Sequence, residues 1–463
     1  MLAASGGVGL AGDRRDAYAA LVIGGVMCLA GTVGLLLYKL PKTVSRRDVF
    51  VAAGLGWLVV IGCSVLFYVS TAEFANFDDA LFESVAGFST TSFSLLDDPS
   101  QLSSTALFWR AGTQWLGGAG ALALALFLMP LFYDRNLSRD SASADEIVLS
   151  SSGRRGSGEL FNFLALYVLL TVGLAAAYWL AEMGSFDAVS YAFTTVSTGG
   201  LANHSDSLAH FDSRSIEWIA VGGMFLAGIN GALLFRALRG SLEPLWKSVE
   251  FRVYLAVVAA AGIAGLIWSD ISGWEERLRG VFFAVTSAVS TTGFRVVDWG
   301  VWNAGLQMML LLLIATGAMA GSTSGGFQLL RATEATHYLY REILNYASPS
   351  ARPATVQRAY LADQPLARMQ AFQFIYLAAA AAGAVGLACF GHDVVTSISG
   401  SISSLATMGP ALGDLGPLQD ANLLPRPERL LLALLMLLGR MFIYPVLLIV
   451  GTLFVKSRWL AKR

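Results

Sequence analysis

Long apolar runs alternate with short amphipathic ones along almost the whole chain. The long runs fall near residues 17–38, 49–70, 106–131, 161–181, 216–238, 254–268, from 302 onward, 372–390 and 429–455. Most hold the ~20 residues a helix needs to cross the hydrocarbon core of a bilayer. The short ones, residues 78–88, 187–196, 275–289 and 393–405, cannot span, and each sits between two long runs. Each opens on a carboxylate (Asp78, Asp187, Glu275, Asp393), and each closes on a tetrad. The tetrads read Ser89-Thr90-Thr91-Ser92, Ser197-Thr198-Gly199-Gly200, Ser290-Thr291-Thr292-Gly293 and Ala406-Thr407-Met408-Gly409. Thr holds the second place every time, and Gly the fourth place in three. The pattern predicts an all-α polytopic membrane protein: four pseudo-fourfold repeats of helix, pore helix, filter strand and helix, preceded by one N-terminal transmembrane helix.

A cation stripped of water needs a cage of partial negative charge, and rings of backbone carbonyls supply one without fixed charge. Gly eases the unusual dihedrals and close chain approach this requires. Irregular backbone at membrane depth is tolerated where it is buried in protein or lines a watery path. The C-terminal ends of four pore helices aimed at one axis would also favour a cation. A single Thr-x-Gly carries no information, but four in register between spanning segments do. The candidate filter is therefore Thr90, Thr91, Ser92, Thr198, Gly199, Gly200, Thr291, Thr292, Gly293, Thr407, Met408 and Gly409, with K+ or Na+ at its carbonyls.

Composition agrees. With 55% hydrophobic and 14% charged residues and a net charge of −1, the chain is membrane-embedded and no nucleic-acid binder. Cys28, Cys63 and Cys389 lie in apolar runs and read as core or lipid-facing residues. The four histidines, His204, His210, His337 and His392, are scattered, and no catalytic or metal constellation emerges. Basic residues mark the links: Lys39, Lys42, Arg46 and Arg47; Arg135, Arg139, Arg154 and Arg155; Arg236, Arg239, Lys247 and Arg252; Lys456, Arg458, Lys462 and Arg463. The positive-inside rule puts these links in the cytoplasm and the tetrads on the outer side. Asp78, Asp79, Asp97, Asp98, Asp187, Asp206, Asp298 and Asp414 then form an acidic outer rim that would steer cations, unless they cap helices or solvate loops.

The organisation expected is a tail, single helix and basic link over 1–47 (1–16 mobile, the N-terminus outside), and repeat one over 48–135. A cytoplasmic link over 136–158, Ser-rich and mobile, leads to repeat two over 159–240. Repeat three covers 241–345, a second link 346–370, and repeat four with the C-terminal tail 371–463. Asp78 and Asp79 are expected to cap the first pore helix. Residues 314–326 carry too many Gly and hydroxyl residues for an undisturbed spanning helix; a tight crossing on small residues is the alternative. Arg440 lies amid Leu and Met, where a charge faces a cavity or a partner acid such as Glu83 or Glu182.

At the tetrads, and at residues 108–118 (FWRAGTQWLGG), 236–240 (RALRG), 320–326 (AGSTSGG) and 438–440 (LGR), the chain resembles the Trk/Ktr/HKT superfamily of potassium and sodium transporters. Within it the likeness is to the bacterial TrkH-type subunit, from about residue 46 to residue 459. The resemblance implies K+ uptake across the bacterial inner membrane, not enzyme activity. It implies an intramembrane gate at Gly317, Gly321, Ser322, Thr323, Ser324, Gly325 and Gly326, with Arg440 just beneath the filter. Gln328 stands where the family commonly has a basic residue. Also implied are a homodimer with two separate pores, surrounding lipid, and a cytoplasmic nucleotide-binding ring of the TrkA or KtrA kind. No cofactor is expected on this chain, the nucleotide belonging to the ring. Ser92 departs from the all-Gly set of potassium-selective members and matches the Ser-Gly-Gly-Gly set of sodium-associated plant HKT members. That leaves a sodium-permeable or weakly selective transporter open, and a non-conducting scaffold as a further alternative.

Overall fold

Four times over, a long helix hands the chain to a short one, and a further helix follows it. The computed structural model describes residues 1–9, 14–37, 43–74, 76–133, 146–347, 363–417 and 424–441, with 443 and 446. Ahead of the repeats stand a helix over Leu2–Gly9 (α1) and a longer one over Arg14–Leu37 (α2). The tail expected to be mobile is thus partly α1, which packs on α2. Small residues allow this: a side chain at Gly24 would meet Ala3, and one at Gly6 would meet Ala17 and Leu21. The basic link after α2 and the Ser-rich link expected to be mobile meet in a short antiparallel ribbon, Thr43–Ser45 (β1) against Glu146–Val148 (β2), with Val44 opposite Ile147.

Repeat one runs through Arg46–Thr71 (α3), Phe77–Ser89 (α4) and Ser104–Tyr133 (α5). Repeat two opens with Leu149–Leu180 (α6), which begins inside the Ser-rich stretch expected as a link. Continuity with the apolar run outweighs the weak helix propensity of Ser and Gly. Ser185–Val196 (α7) follows, and then a break the sequence reading missed. The inner helix expected over 216–238 is two helices, Arg214–Ala227 (α8) and Gly231–Leu238 (α9), bent by 110°. Asn230 starts α9 by accepting from the amides of Ala232 at 2.9 Å and Leu233 at 3.3 Å. After Glu243–Lys247 (α10), repeat three comprises Val249–Trp268 (α11), Trp274–Val289 (α12), Ala304–Thr316 (α13) and, past an interruption, Leu329–Ala347 (α14). Repeat four comprises Asp363–Cys389 (α15), Val394–Leu405 (α16) and Arg426–Arg440 (α17). The expected continuation of the last helix to 455, the basic C-terminal tail and most of the 346–370 link lie outside the described residues.

Five described helices are long and apolar enough to cross a membrane, or six if α8 and α9 count as one span. On α3, apolar side chains occupy both faces. Phe82, Val85 and Phe88 of α4 are buried with Phe67, Tyr68 and Trp109, while Leu58, Val59, Leu66 and Val69 of α3 are exposed. An apolar exterior over an apolar core belongs in lipid.

Candidate functional site

All four short helices stop in the same way. The amide of the second tetrad residue returns to a carbonyl three residues back: Thr90 to Gly87, Thr198 to Thr195, Thr291 to Ala288, Thr407 to Ser404, at 3.0–3.2 Å. The third amide reaches five back, Thr91 to Ala86, Gly199 to Thr194, Thr292 to Ser287 and Met408 to Ser403, at 2.8–3.0 Å. This is the paired hydrogen-bond pattern that closes a helix around a left-handed residue. The residue in that conformation is Thr each time, with φ of 55°, 52°, 56° and 58°. A β-branched residue held there costs of order 1–3 kcal/mol, and such outliers cluster at functional sites. The hydroxyls of Thr90 and Thr407 are moreover buried without a hydrogen-bond partner.

The four tetrads converge. Ser92 donates from its amide to Met408 O at 3.0 Å, and from Oγ to Met408 O at 2.7 Å and Gly293 O at 3.3 Å. A side chain on Gly200 would overlap Thr292 O and lie 3.1 Å from Ser92 Cβ, and one on Gly293 would lie 2.5 Å from Met408 O. Gly200, Gly293 and Gly409 have φ of 72°, 80° and 109°, whereas Ser92 does not adopt a positive φ. From the first inner helix, Gln114 donates from Nε2 to Gly199 O at 2.9 Å and Thr91 O at 3.1 Å, and accepts from the Leu201 amide at 3.1 Å. Sequence reasoning had quoted Gln114 without a role.

On one side of the tetrads opens a polar cavity of about 190 Å³, lined from all four repeats by residues including Ser92, Gly200, Gly293 and Pro410. Of the expected acidic rim, Asp97 and Asp206 reach it. The others work elsewhere. Asp78 pairs with Arg426 at 3.2 Å and Asp79 with Arg429. They sit inside the first turn of α4, where the helix dipole favours them, and do not cap it; the N-cap is Asn76. Asp98 and Asp298 accept from the Ser100 amide at 3.1 Å and the Gly300 amide at 2.9 Å. The Ser100 hydroxyl and amide hold the Asp98 carboxyl below its usual range. Asp187 receives Asn203 at 2.8 Å, and Asp414 meets His392 at 3.2 Å. Asp393 does cap α16, accepting from the Thr396 amide at 3.0 Å. Two of the histidines expected to be scattered, His204 and His210, stack face to face at 3.7 Å.

Against the other side of the tetrads lies the interruption between α13 and α14. The Gly325 amide donates to Thr291 Oγ1 at 2.8 Å, and a side chain on Gly325 would overlap Ala406 O and Thr407 Oγ1. Thr323 Oγ1 donates to Val196 O at 3.0 Å and Ala227 O at 3.3 Å. Gly317, Gly321 and Gly326 all adopt positive φ, so this is folded-back loop and not a tight helix crossing. Its Ala320 peptide is clamped from both ends: Glu250 accepts from the amide at 2.6 Å, and Asn230 donates to the carbonyl at 2.5 Å. Arg440 is buried and donates to Thr323 O at 2.8 Å and Gly117 O at 3.4 Å. Neither suggested acid meets it. Glu83 pairs with Arg110 at 2.5 Å, and Glu182 is exposed. Gln328 is buried with its Oε1 unpartnered, and a basic group arrives one turn later, where Arg331 stacks 3.9 Å over Phe372.

Helices long and apolar enough to span, with short helices between them whose C-terminal ends converge, define a multi-pass membrane protein of the transport class. The chain belongs to the TrkH family of cation transport proteins, whose family model matches residues 19–257 and 270–455. It is 29% identical over 438 residues to the Trk system potassium uptake protein TrkI of Halomonas elongata, covering 93% of this chain and 88% of that one. To the Trk system potassium uptake protein TrkH of Escherichia coli K12 it is 28% identical over 433 residues, covering 91% and 89%. The crystal structure of the potassium transporter TrkH from Vibrio parahaemolyticus shares the fold, with a TM-score of 0.84 at 24% identity over 97% of this chain and 94% of that one.

Proposed function

We propose that the chain carries K+ inward across a bacterial inner membrane through one pore, with the four tetrads as its filter. The observation that carries this reading is the fourfold helix ending: the same strained Thr, the same pair of hydrogen bonds, and fourth positions that crowd Ser92 and the carbonyls of Thr292 and Met408. The ion is K+ because the relatives named above are potassium uptake proteins. Each charge moved inward down an interior-negative potential gains about 2.3 kcal/mol per 100 mV, so no nucleotide or other cofactor is needed on this chain. The loop through Gly317, Ser322, Thr323, Gly325 and Gly326 gates the path, and Arg440 holds it through the Thr323 carbonyl. The tetrads face outward. The inner face carrying Arg236, Arg239, Lys247 and Arg252 takes a TrkA- or KtrA-type ring, and the chain works as a homodimer.

One observation favours a second reading, a sodium-permeable filter. The Ser92 hydroxyl donates to two carbonyls of the ring, Met408 O and Gly293 O, that an ion would otherwise use. Cation flux into proteoliposomes under an imposed potential separates the readings. Potassium well above sodium supports K+ uptake, comparable sodium flux supports the second reading, and no flux of either with the ring present would return the scaffold alternative.

A further inference from the structure

We infer that Gln114 is a positioning and specificity-determining residue, and that Gly199 is glycine in order to admit its amide. The inference rests on reading the tetrads as a filter. In three repeats the third tetrad residue turns a buried side chain into the protein behind the strand. Thr91 Oγ1 meets Ser89 Oγ at 2.8 Å, Thr292 Oγ1 meets Ser290 Oγ at 2.6 Å, and Met408 packs beside Ala406 and Leu412. Repeat two has no such side chain. Its Ser197 hydroxyl keeps the bond to the carbonyl three residues back, Thr194 O at 3.3 Å, that Ser89 also makes to Ala86 O, but has no third-position hydroxyl to meet.

The backbone does not demand this glycine, because Gly199, unlike Gly200, does not take a positive φ. Space does. A side chain there would overlap Gln114 Oε1 and Cδ and lie 2.7 Å from Nε2. The amide of Gln114 thus fills, from another repeat's helix, the slot that the third residue fills elsewhere. It is fully buried, and both its N–H groups and its oxygen are engaged. The two N–H groups end on Thr91 O and Gly199 O, the third-position carbonyls of adjacent repeats. Selection depends on how many carbonyls face the ion and with what field, so a donor fixing two of them sets both the aim and the strength of the cage.

Two experiments on the full-length protein test this. In a stability cycle, Gly199→Thr alone should sharply lower the yield of monodisperse protein and its melting temperature. Adding Gln114→Ala should restore much of both, since repeat two would then carry the tetrad of repeat three. A double variant no better than the sum of its singles would overturn the slot argument, whatever the protein transports. In the flux assay, Gln114→Met keeps the volume and removes the donors. It should leave the protein folded while the K+/Na+ permeability ratio moves by roughly fivefold, the worth of about 1 kcal/mol once the Thr91 and Gly199 carbonyls are released. An unchanged ratio in folded protein would overturn the specificity role. Absence of flux from the unsubstituted chain would instead overturn the filter reading, leaving the stability cycle to decide the slot.

Discussion

Ser92 grips the Met408 carbonyl twice, from its amide at 3.0 Å and its hydroxyl at 2.7 Å. No other tetrad has a side chain at the fourth position, and the other three adopt the positive φ that Ser92 avoids. A serine there therefore changes both the backbone path and the state of a neighbouring carbonyl. Ser92→Gly should remove the hydroxyl from Met408 O and Gly293 O, leaving the amide bond to Met408 O in place, and raise the K+/Na+ permeability ratio by roughly fivefold, one net hydrogen bond's worth. The check is the reversal potential in mixed-salt proteoliposomes. An identical ratio would sink the idea that Ser92 sets selectivity.

Arg440 places a positive charge with no acidic partner among the described residues against the loop beneath the tetrads, with carbonyls as its partners. A unit charge about 10 Å from a passing cation, at an effective dielectric of about 20, repels it by about 1.7 kcal/mol. Arg440→Ala should then raise cation flux by roughly fifteen- to twentyfold. If Arg440 serves packing alone, the variant loses folded protein and the remainder conducts no faster.

How much of this was legible in the chain follows the range of the interactions. The short helices and their tetrads were readable because amphipathic length and the repeated Thr are local signals. The interruption, expected over 314–326 and found over 317–328 because residues 314–316 still belong to α13, was readable because its glycines and hydroxyls are contiguous. The 110° break at Gly228–Asn230 hid inside an apolar run, though Asn230-Gly231 is a turn dipeptide that could have exposed it. Gln114, Asn230 and Glu250 could not be assigned, since their partners lie 23 to 90 residues away. Of the acidic rim, Asp97 and Asp206 line the cavity, Asp98 and Asp298 are taken by local turns, and Asp78 and Asp79 find Arg426 and Arg429 roughly 350 positions on.

Glu83 and Arg110 form a buried pair that ties the first short helix to the second repeat. Arg110 also donates to Ala202 O at 2.6 Å, and Ser94 Oγ donates to Glu83 at 3.2 Å. Removing one member leaves a buried charge without its partner, a loss of about 3–5 kcal/mol. Glu83→Ala should therefore sharply lower the melting temperature in detergent. The double variant Glu83→Leu with Arg110→Leu should lose less than the sum of the single losses. Strict additivity would mean that the pair is not coupled.

His392 gives repeat four a pH-dependent stability. Its Nε2 lies 2.8 Å from Glu428 at the start of α17, and its Nδ1 lies 3.2 Å from Asp414. Burial alone would push the imidazole down, but the hydrogen bonds and charges of Glu428 and Asp414 outweigh it and raise the group. A folded pKa above the unfolded value of about 6.5 means the protonated form is favoured by folding. Its stabilisation is complete below that unfolded value and disappears as pH rises through the raised folded one. His392→Gln keeps a hydrogen-bonding side chain without the charge. It should melt several degrees below the unsubstituted protein at about pH 5.5, and the gap should narrow at about pH 9. A gap that is constant across that range would mean that His392 contributes shape and not charge. A gap that widened with pH would require that the imidazole be held neutral, which two facing carboxylates oppose.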